Sequence, residues 1–243
     1  MLSIIKSISL NGIEGYLVDV QVDVSEGLPS WEVVGLPDIT VRESKERIKI
    51  AIKNSQIKLL SKKVTINLAP ASLRKEGSFF DLPIAIGILM STQYIWEQNL
   101  QDTIFIGELS LDGKINKVNG VLPMCIEAKK LGVKRVVISK DNAREAAMVN
   151  GIKVIPVENL IQTIKYLNGQ IEIEAQGNNI EEIFNQNQVY SLDFSEVKGQ
   201  ESAKRALEVA ASGGHNCLLV GSPRMWKNNA CKKNTNNIAK TKF

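Results

Sequence analysis

The sequence contains few of the residues on which metal, disulfide and histidine chemistry depend. Its 243 residues include one histidine, His215, and three cysteines, Cys125, Cys217 and Cys231. The wide spacing of the cysteines fits neither a zinc ribbon nor a disulfide framework. A single histidine cannot form a metal site, and as a general base it would need a neighbouring nucleophile that the sequence does not show. We therefore expect no metal centre. We interpret His215 as structural, Cys125 and Cys217 as small core residues and Cys231 as part of the tail.

Long hydrophobic runs are also missing. No apolar segment reaches the roughly 18 residues that cross a bilayer, and the first 15 residues, MLSIIKSISLNGIEG, contain no small-residue cleavage site after a hydrophobic region. The apolar content of 44% and the charged fraction of 23% are those of an ordinary globular protein with a core. We expect a cytoplasmic protein without a membrane partner.

Acidic residues are absent from the last 20 residues, and this absence accounts for the basic net charge. The chain carries a formal charge of +4, and residues 224–243 contain six lysines and arginines. Removing those six positive charges from +4 leaves −2 for residues 1–223. The net charge is therefore no evidence that the body of the protein binds nucleic acid.

Aromatic residues make up only 5% of the chain, and none is interleaved with the densest basic run before the tail. That run extends from Arg47 to Lys63. Clustered lysines and arginines supply sequence-independent affinity for a phosphate backbone. However, the acidic Glu43 and Glu46 lie beside the run, and base stacking requires aromatic side chains. We favour a solvated helix face and keep weak contact with DNA as the alternative.

The remaining pattern alternates strands and helices. Apolar residues alternate over 16–24, which predicts strands joined by a hairpin. Asp38 is the expected N-terminal cap of an amphipathic helix, and KKVTINL at 62–68 is the next predicted strand. Asp81 is the expected cap of a helix that is apolar nearly all round, with Pro83 in its first turn.

The second half of this region predicts a hairpin that turns at Asp112 and Gly113, then a helix closed by Gly132. A strand, a helix, a further strand and a further helix follow over 135–167. This order indicates a mixed α/β (α+β) fold.

The composition changes at about residue 169. Residues 169–190 are rich in Gln, Asn and Glu and lack periodicity, so we interpret them as a connection between a domain at 1–168 and a second region. Residues 191–223 predict a loop, a helix with Ala203, Ala206, Leu207 and Ala210 on one face, a break at Gly213 and Gly214, and a strand NCLLV. This is the beginning of a larger domain.

The strand NCLLV leads into a broken phosphate-binding loop. A Walker A motif has the form G-x-x-x-x-G-K-[ST], because backbone N–H groups must curl round the phosphates, the lysine must reach the terminal phosphate and the hydroxyl must hold Mg²⁺. Counting from Gly221, the required glycine, lysine and hydroxyl positions are occupied by Trp226, Lys227 and Asn228. The tryptophan blocks the position of close approach, and the asparagine lacks the hydroxyl ligand.

The genetic code explains this break. Met225 and Trp226 each have a single codon, so the coding sequence from codon 225 is largely known. If its first base is dropped, positions 225 and 226 must read Cys-Gly, position 227 reads Lys or Arg, and position 228 reads Thr or Ile. The shifted frame therefore permits G-S-P-x-C-G-K-T at the correct spacing. We interpret 224–243 as an out-of-frame, disordered tail. A genuine Asn/Lys-rich terminus is the alternative, but it gives no reason for the hidden motif.

Four stretches carry a family resemblance. They are VVGLPDITVRESKERIKIAI, INLAPASLRKEGSFFDLPIAIGIL, FIGELSLDGKI and FSEVKGQESAKRALEVAASGGHNCLLVGSP. In this order they resemble the YifB/ComM-like proteins, which are magnesium-chelatase-like AAA+ ATPases, over nearly all of residues 1–223. The resemblance implies an N-terminal domain similar to the Lon protease domain and to ribosomal protein S5 domain 2, followed by an AAA+ motor.

The resemblance also implies a function. The intact family uses ATP and Mg²⁺ and forms hexamers that act as ATP-driven DNA helicases in branch migration during transformation. Gly221, Ser222, Pro223 and Lys227 are then the remnant of Walker A. Val197 and Gly199 correspond to the segment beside adenine. A magnesium-chelatase subunit is a further reading, but nothing in the sequence suggests a porphyrin site.

The resemblance to Lon raises a protease hypothesis, since that enzyme uses a Ser–Lys dyad. Asp81 stands near the position of the serine and Leu122 near that of the lysine, so both groups are missing. Ser78 is an imperfect substitute, and we interpret it as a loop or cap serine. We expect neither proteolysis nor ATP hydrolysis by this chain. We expect an accessory domain with an aborted start of the motor, or alternatively a stand-alone module that binds DNA or partner subunits.

Overall fold

The computed structural model describes residues 2–12, 14–58, 62–96, 100–177 and 199–218. Contacts divide the chain into two units, Met1–Asn178 and Asn179–Phe243. This division falls inside the connection predicted at 169–190.

A seven-stranded mixed sheet organises the first unit. Its strands stand in the order β3-β4-β2-β1-β5-β8-β9, and β6 and β7 form a separate hairpin. The antiparallel pairs are β1 with β2 and β2 with β4, whereas the other neighbours are parallel. The bounds are β1 Leu2–Asn11, β2 Glu14–Ser25, β3 Ser30–Val34, β4 Lys63–Ala69, β5 Thr103–Ile106, β6 Glu108–Leu109, β7 Ile115–Asn116, β8 Arg135–Ser139 and β9 Lys153–Val157.

Helices cover both faces of the parallel part of the sheet. Neighbouring residues of one strand enter opposite cores: Phe105 of β5 packs with α2, and Ile104 packs with α3. This follows from the two-residue period of a strand. The helices of the first unit are α1 Ile39–Asn54, α2 Asp81–Ser91, α3 Val121–Lys130, α4 Ala143–Ala146 and α5 Leu160–Leu167, with 3-10 turns at Ser78–Phe80 and Lys140–Asn142. The predicted mixed α/β fold is confirmed.

The N-terminal caps of α1 and α2 differ. The Asp38 carboxylate accepts a hydrogen bond from the backbone N–H of Val41 at 2.7 Å, so this predicted cap is confirmed. The prediction that Asp81 caps α2 is wrong. Phe80 occupies the cap position, and Asp81 is the first helical residue. Its carboxylate binds residues from other elements and is therefore not used for capping.

The β6-β7 hairpin turns where the sequence predicts. Gly113 has a φ of +85°, and Asp112 accepts hydrogen bonds from the Ser110 hydroxyl at 2.7 Å and from the Lys114 N–H at 3.0 Å. The short polar side chain of Asp112 holds the turn, and glycine supplies the left-handed backbone. The Asp-Gly prediction is confirmed.

In the second unit, the helix α6 spans Glu201–Gly213 and ends at Gly214, which has a φ of +63°. Leu207 and Ala210 are buried as predicted, but Ala206 is exposed, so the apolar face is narrower than expected. Residues 216–218, the described part of the predicted strand NCLLV, have no regular secondary structure, and Cys217 is exposed instead of buried. Among the helices in the described ranges, none combines the length and the apolar content needed to cross a bilayer.

Candidate functional site: a buried charged cluster at the start of α2

The start of α2 lies in a buried cluster of charged side chains. Asp81 is fully buried, and Arg47 of α1 binds both of its carboxylate oxygens, Nε to Oδ2 at 2.9 Å and Nη2 to Oδ1 at 3.1 Å. The backbone N–H of Leu109 in β6 donates to Oδ2 at 3.3 Å. The bidentate pair joins α1 to α2, and the hydrogen bond from Leu109 joins the same carboxylate to the β6-β7 hairpin.

Burial and the ion pair with Arg47 shift the pKa of Asp81 in opposite directions. Burial raises the pKa of Asp81 to about 6, although the hydrogen bonds and charge of Arg47 favour the ionised form. The pKa of Arg47 is raised because it binds Asp81. At neutral pH the pair is ionised, because the contacts of Arg47 and of the Leu109 N–H oppose the effect of burial.

This arrangement corrects the interpretation of Arg47 as part of a solvated helix face. The Arg47 side chain is only 26% exposed, and it points at Asp81. In the structure Arg47 lies three residues after Ser44 and four before Ala51, and both of these are buried. Of the two, only the apolar Ala51 is a signal that the sequence itself offers. Residues at this spacing share one face of a helix.

Ser78 lies beside the cluster but has no base of the expected kind. Its hydroxyl donates to the Glu108 carboxylate, and Asn116 Nδ2 donates to Glu108 Oε1 at 3.2 Å. In the described ranges, no hydrogen bond or ion pair joins Ser78 or Asp81 to a lysine or to Leu122. Nucleophilic activation in a Ser–Lys dyad requires a lysine within hydrogen-bond reach. The serine instead ties the 3-10 turn before α2 to β6.

Leu122 belongs to the other face of the sheet. It packs against the core formed by α3, and its backbone N–H donates to Glu145 Oε1 at 3.1 Å. Asp81 belongs to α2, on the opposite face. The two positions that the resemblance to Lon marks therefore lie on opposite faces of the sheet. Cys125 on α3 is buried as expected, and burial raises its pKa to about 12, so this thiol is unreactive at neutral pH.

A cavity of about 870 Å³ lies at the carboxyl ends of β8 and β9. Open α/β sheets often bind ligands at this edge. Three lysines and three acidic residues line it, and the Lys140 ammonium pairs with Glu158 at 2.6 Å. Because the positive and negative charges are equal in number, the cavity favours neither an anionic nor a cationic ligand, and we assign no site there.

The predicted nucleotide-binding residues fall almost entirely outside the described ranges. Gly221, Ser222, Pro223, Lys227 and Val197 all do so. Gly199 is described, and it is exposed with a φ of +70° just before α6. Their roles remain predictions. His215 is exposed, its backbone N–H donates to the Ala210 carbonyl at 2.8 Å, and its ring lies against Gly213.

Comparisons with known proteins show the family to which the chain belongs. The family model described as subunit ChlI of Mg-chelatase matches residues 20–142. A second model, magnesium chelatase, subunit ChlI, matches residues 193–239. This second match includes Trp226 and most of the segment for which we predict a shifted frame. The frameshift stays a prediction.

The chain is also similar to individual proteins. Competence protein ComM of Haemophilus influenzae is 39% identical over 223 residues, which cover 91% of this chain and 44% of that protein. The uncharacterized protein YifB of Escherichia coli is 37% identical over 222 residues, which cover 91% and 43%. An archaeal Lon protease of Methanocaldococcus jannaschii is 26% identical over 116 residues, which cover 48% of this chain and 18% of that protein.

The chain belongs to the magnesium-chelatase ChlI family and, within it, to the ComM/YifB-like proteins. It spans less than half of the length of the curated relatives that it matches.

Proposed function

We propose that this chain is the accessory unit, with the start of the motor, of an ATP-driven DNA-processing protein, and that it does not itself hydrolyse ATP. The observation that carries the proposal is the similarity over 91% of the chain to a protein named for competence. In this proposal the intact protein is a cytoplasmic homo-hexamer. It uses ATP and Mg²⁺ to drive a DNA helicase that supports branch migration in transformation and recombination.

The geometry at the start of α2 supports a binding role for the first unit over a proteolytic one. Asp81 occupies the region of the Lon nucleophile, and its pairing with Arg47 makes it a structural residue. Ser78 donates its hydroxyl to a carboxylate. A fold whose described residues show no Ser–Lys side-chain pair can still present a surface to DNA or to neighbouring subunits.

The alternative is a stand-alone module that binds DNA or partner subunits without ATP. It is favoured by the first unit, which has its own sheet and a core on each face of it. Reading the gene beyond codon 223 separates the two. A continuing ATPase in the shifted frame supports the first proposal, and a closed operon without that frame supports the second.

Both proposals include contact with DNA, and we therefore expect weak, salt-sensitive DNA binding. We expect the 243-residue chain to bind a fluorescein-labelled oligonucleotide at low salt, with an affinity that falls by about tenfold or more between roughly 50 and 200 mM salt, because lysines displace counterions from the phosphates. Fluorescence anisotropy measures this directly. Deleting 224–243 should lower the affinity and reduce the salt dependence, since six positive charges are removed. Absence of binding at low salt would contradict the proposal.

A further inference from the structure

We propose that a lysine-lined groove between α1 and the edge strand β3 is a binding site for single-stranded DNA. The inference rests on the proposed DNA-related function and names the surface that carries it. The groove has a volume of about 830 Å³. We call it the lysine groove, and its defining residues are Trp31, Lys45, Lys49, Lys53, Lys58 and Lys62.

The lysines form an ordered rim. Lys45, Lys49 and Lys53 recur every four residues on α1, so they follow one side of the helix at intervals of about 6 Å. Lys58 and Lys62 continue the rim beyond the end of the helix. A row of ammonium groups at this interval suits a linear polyanion better than a single phosphate.

The positive charge of the groove is largely uncompensated. Among the described residues that line it, Glu46 is the only acid. Within the described ranges none of the five lysines forms an ion pair, whereas Lys130, Lys134 and Lys140 elsewhere in the unit are each paired with a carboxylate. The groove also differs from the cavity at the ends of β8 and β9, where the charges of both signs are equal in number.

The floor of the groove is apolar and includes an aromatic ring. Val64 of β4 and Ile88 of α2 line it, and Trp31 of β3 is half-buried against the core beside them. Indole rings offer a flat face on which an unstacked base can lie. Since β3 is an edge strand of the sheet, Trp31 lies at the border of the sheet and not beneath a neighbouring strand.

A second cavity, of about 570 Å³, continues from the lysine groove. It shares Lys58 and Lys62 with the groove, and Tyr94 lies in it. The Tyr94 hydroxyl donates to the Lys58 carbonyl at 2.8 Å, which fixes the ring beside the rim. Aromatic residues therefore occur in both cavities, and the two shared lysines lie at their junction.

This combination favours a single strand over a duplex. A duplex presents its phosphates but keeps its bases stacked, so it would meet the lysines without using Trp31 or Tyr94. A single strand can place phosphates on the rim and bases on the apolar floor. The rim spans more than one nucleotide, which argues against a free mononucleotide as the ligand. We therefore name single-stranded DNA as the occupant.

Two sets of variants of the 243-residue chain test the site, with fluorescein-labelled (dT)15 as the probe. Lys49→Glu with Lys53→Glu should weaken binding by about tenfold or more, because two rim charges are reversed. The matched control is Lys129→Glu with Lys165→Glu, which makes the same charge change at two exposed helical lysines outside the groove. The control should weaken binding by less than about threefold, through long-range charge alone.

The aromatic contact has its own test. Trp31→Leu should weaken (dT)15 binding by about fivefold or more without changing its salt dependence, and Trp31→Phe should retain most of the affinity because it keeps an aromatic face. Circular dichroism melts confirm that each variant is folded. A rim variant no weaker than its control, a Trp31→Leu variant that binds normally, or a duplex that binds as tightly as (dT)15 would overturn the inference. If the unmodified chain binds no DNA, the proposed function fails with it.

Discussion

Replacing Arg47 with alanine should destabilise the protein by about 3–5 kcal/mol at neutral pH, because the change leaves a buried carboxylate without its partner. Asp81 is fully buried, and two of its three hydrogen-bond contacts come from Arg47. The remaining donor is the backbone N–H of Leu109, which cannot neutralise the charge. Urea denaturation at pH 7.5 measures the loss in the free energy of unfolding.

The loss should be smaller at pH 5. Burial raises the pKa of Asp81 to about 6, and the pKa rises further without Arg47, whose contacts favour the ionised form. A carboxyl group whose pKa is higher in the folded than in the unfolded state binds its proton more tightly when folded. Its contribution to stability is therefore complete below the unfolded pKa of about 3.9 and declines as the pH rises through the folded pKa. Acidification protonates Asp81 and relieves the buried charge in the Arg47→Ala variant.

Two controls isolate this effect. Arg42→Ala removes an exposed arginine of the same helix and should change stability by less than about 0.5 kcal/mol. The double variant Arg47→Met with Asp81→Asn removes both charges and should recover much of the loss. An Arg47→Ala variant that loses less than about 1 kcal/mol, or that loses the same amount at pH 5 and pH 7.5, would contradict the assignment of this pair.

Replacing Gly35 with alanine should destabilise the protein by about 3 kcal/mol or more, because the backbone there is left-handed and has no room for a side chain. Gly35 has a φ of +97°, and an added Cβ would lie 2.2 Å from the carbonyl oxygen of Leu68 in β4. The next residues are held in place, since the Lys75 N–H donates to the Leu36 carbonyl at 3.1 Å and the Asp38 N–H to the Lys75 carbonyl at 3.0 Å. The segment cannot move aside without breaking these contacts.

Gly132→Ala is the matched control. Gly132 also has a positive φ, +76°, but nothing lies within 4 Å of an added Cβ. Its substitution should therefore cost only about 1 kcal/mol, the strain of the left-handed backbone by itself. Thermal denaturation of both variants separates the two contributions. Equal losses would show that the close approach of Gly35 to β4 is not needed for the fold.

Local signals in the sequence predicted most of the secondary structure of the first unit. The Asp38 cap and the Asp112–Gly113 turn depend only on residues that are close in sequence. Their residue patterns therefore predict them without knowledge of the fold. Asp81 has the residue type of a cap and precedes an apolar run in the sequence, but in the structure it is the first helical residue, and its carboxylate binds Arg47 and the Leu109 N–H. These contacts depend on the packing of distant elements, and no local pattern reveals them.

The lysine groove also depends on residues that are distant in sequence, so the sequence alone could not predict it. In the sequence, the basic run from Arg47 to Lys63 contains no aromatic residue. Trp31 and Tyr94 come from β3 and from the segment after α2, and the fold brings them to the rim. The parallel pairing of β3 with β4 is a long-range contact that sequence periodicity cannot supply.

The proposal that this chain has no ATPase activity rests on the residues at the expected phosphate loop. Trp226 stands where the motif requires the glycine that lets the backbone approach the phosphates, and Asn228 stands where a hydroxyl would hold Mg²⁺. Lys227 is at the right position, but a lysine without the preceding loop is only a point charge.

Calorimetry with Mg-ATP, together with a phosphate-release assay on the 243-residue chain, tests this claim most directly. We expect no saturable micromolar binding and phosphate release equal to a blank. Restoring the full downstream frame should give hydrolysis, because the shifted frame returns the glycine and the hydroxyl to the phosphate loop. A magnesium-dependent turnover of ATP by the present chain would contradict the account.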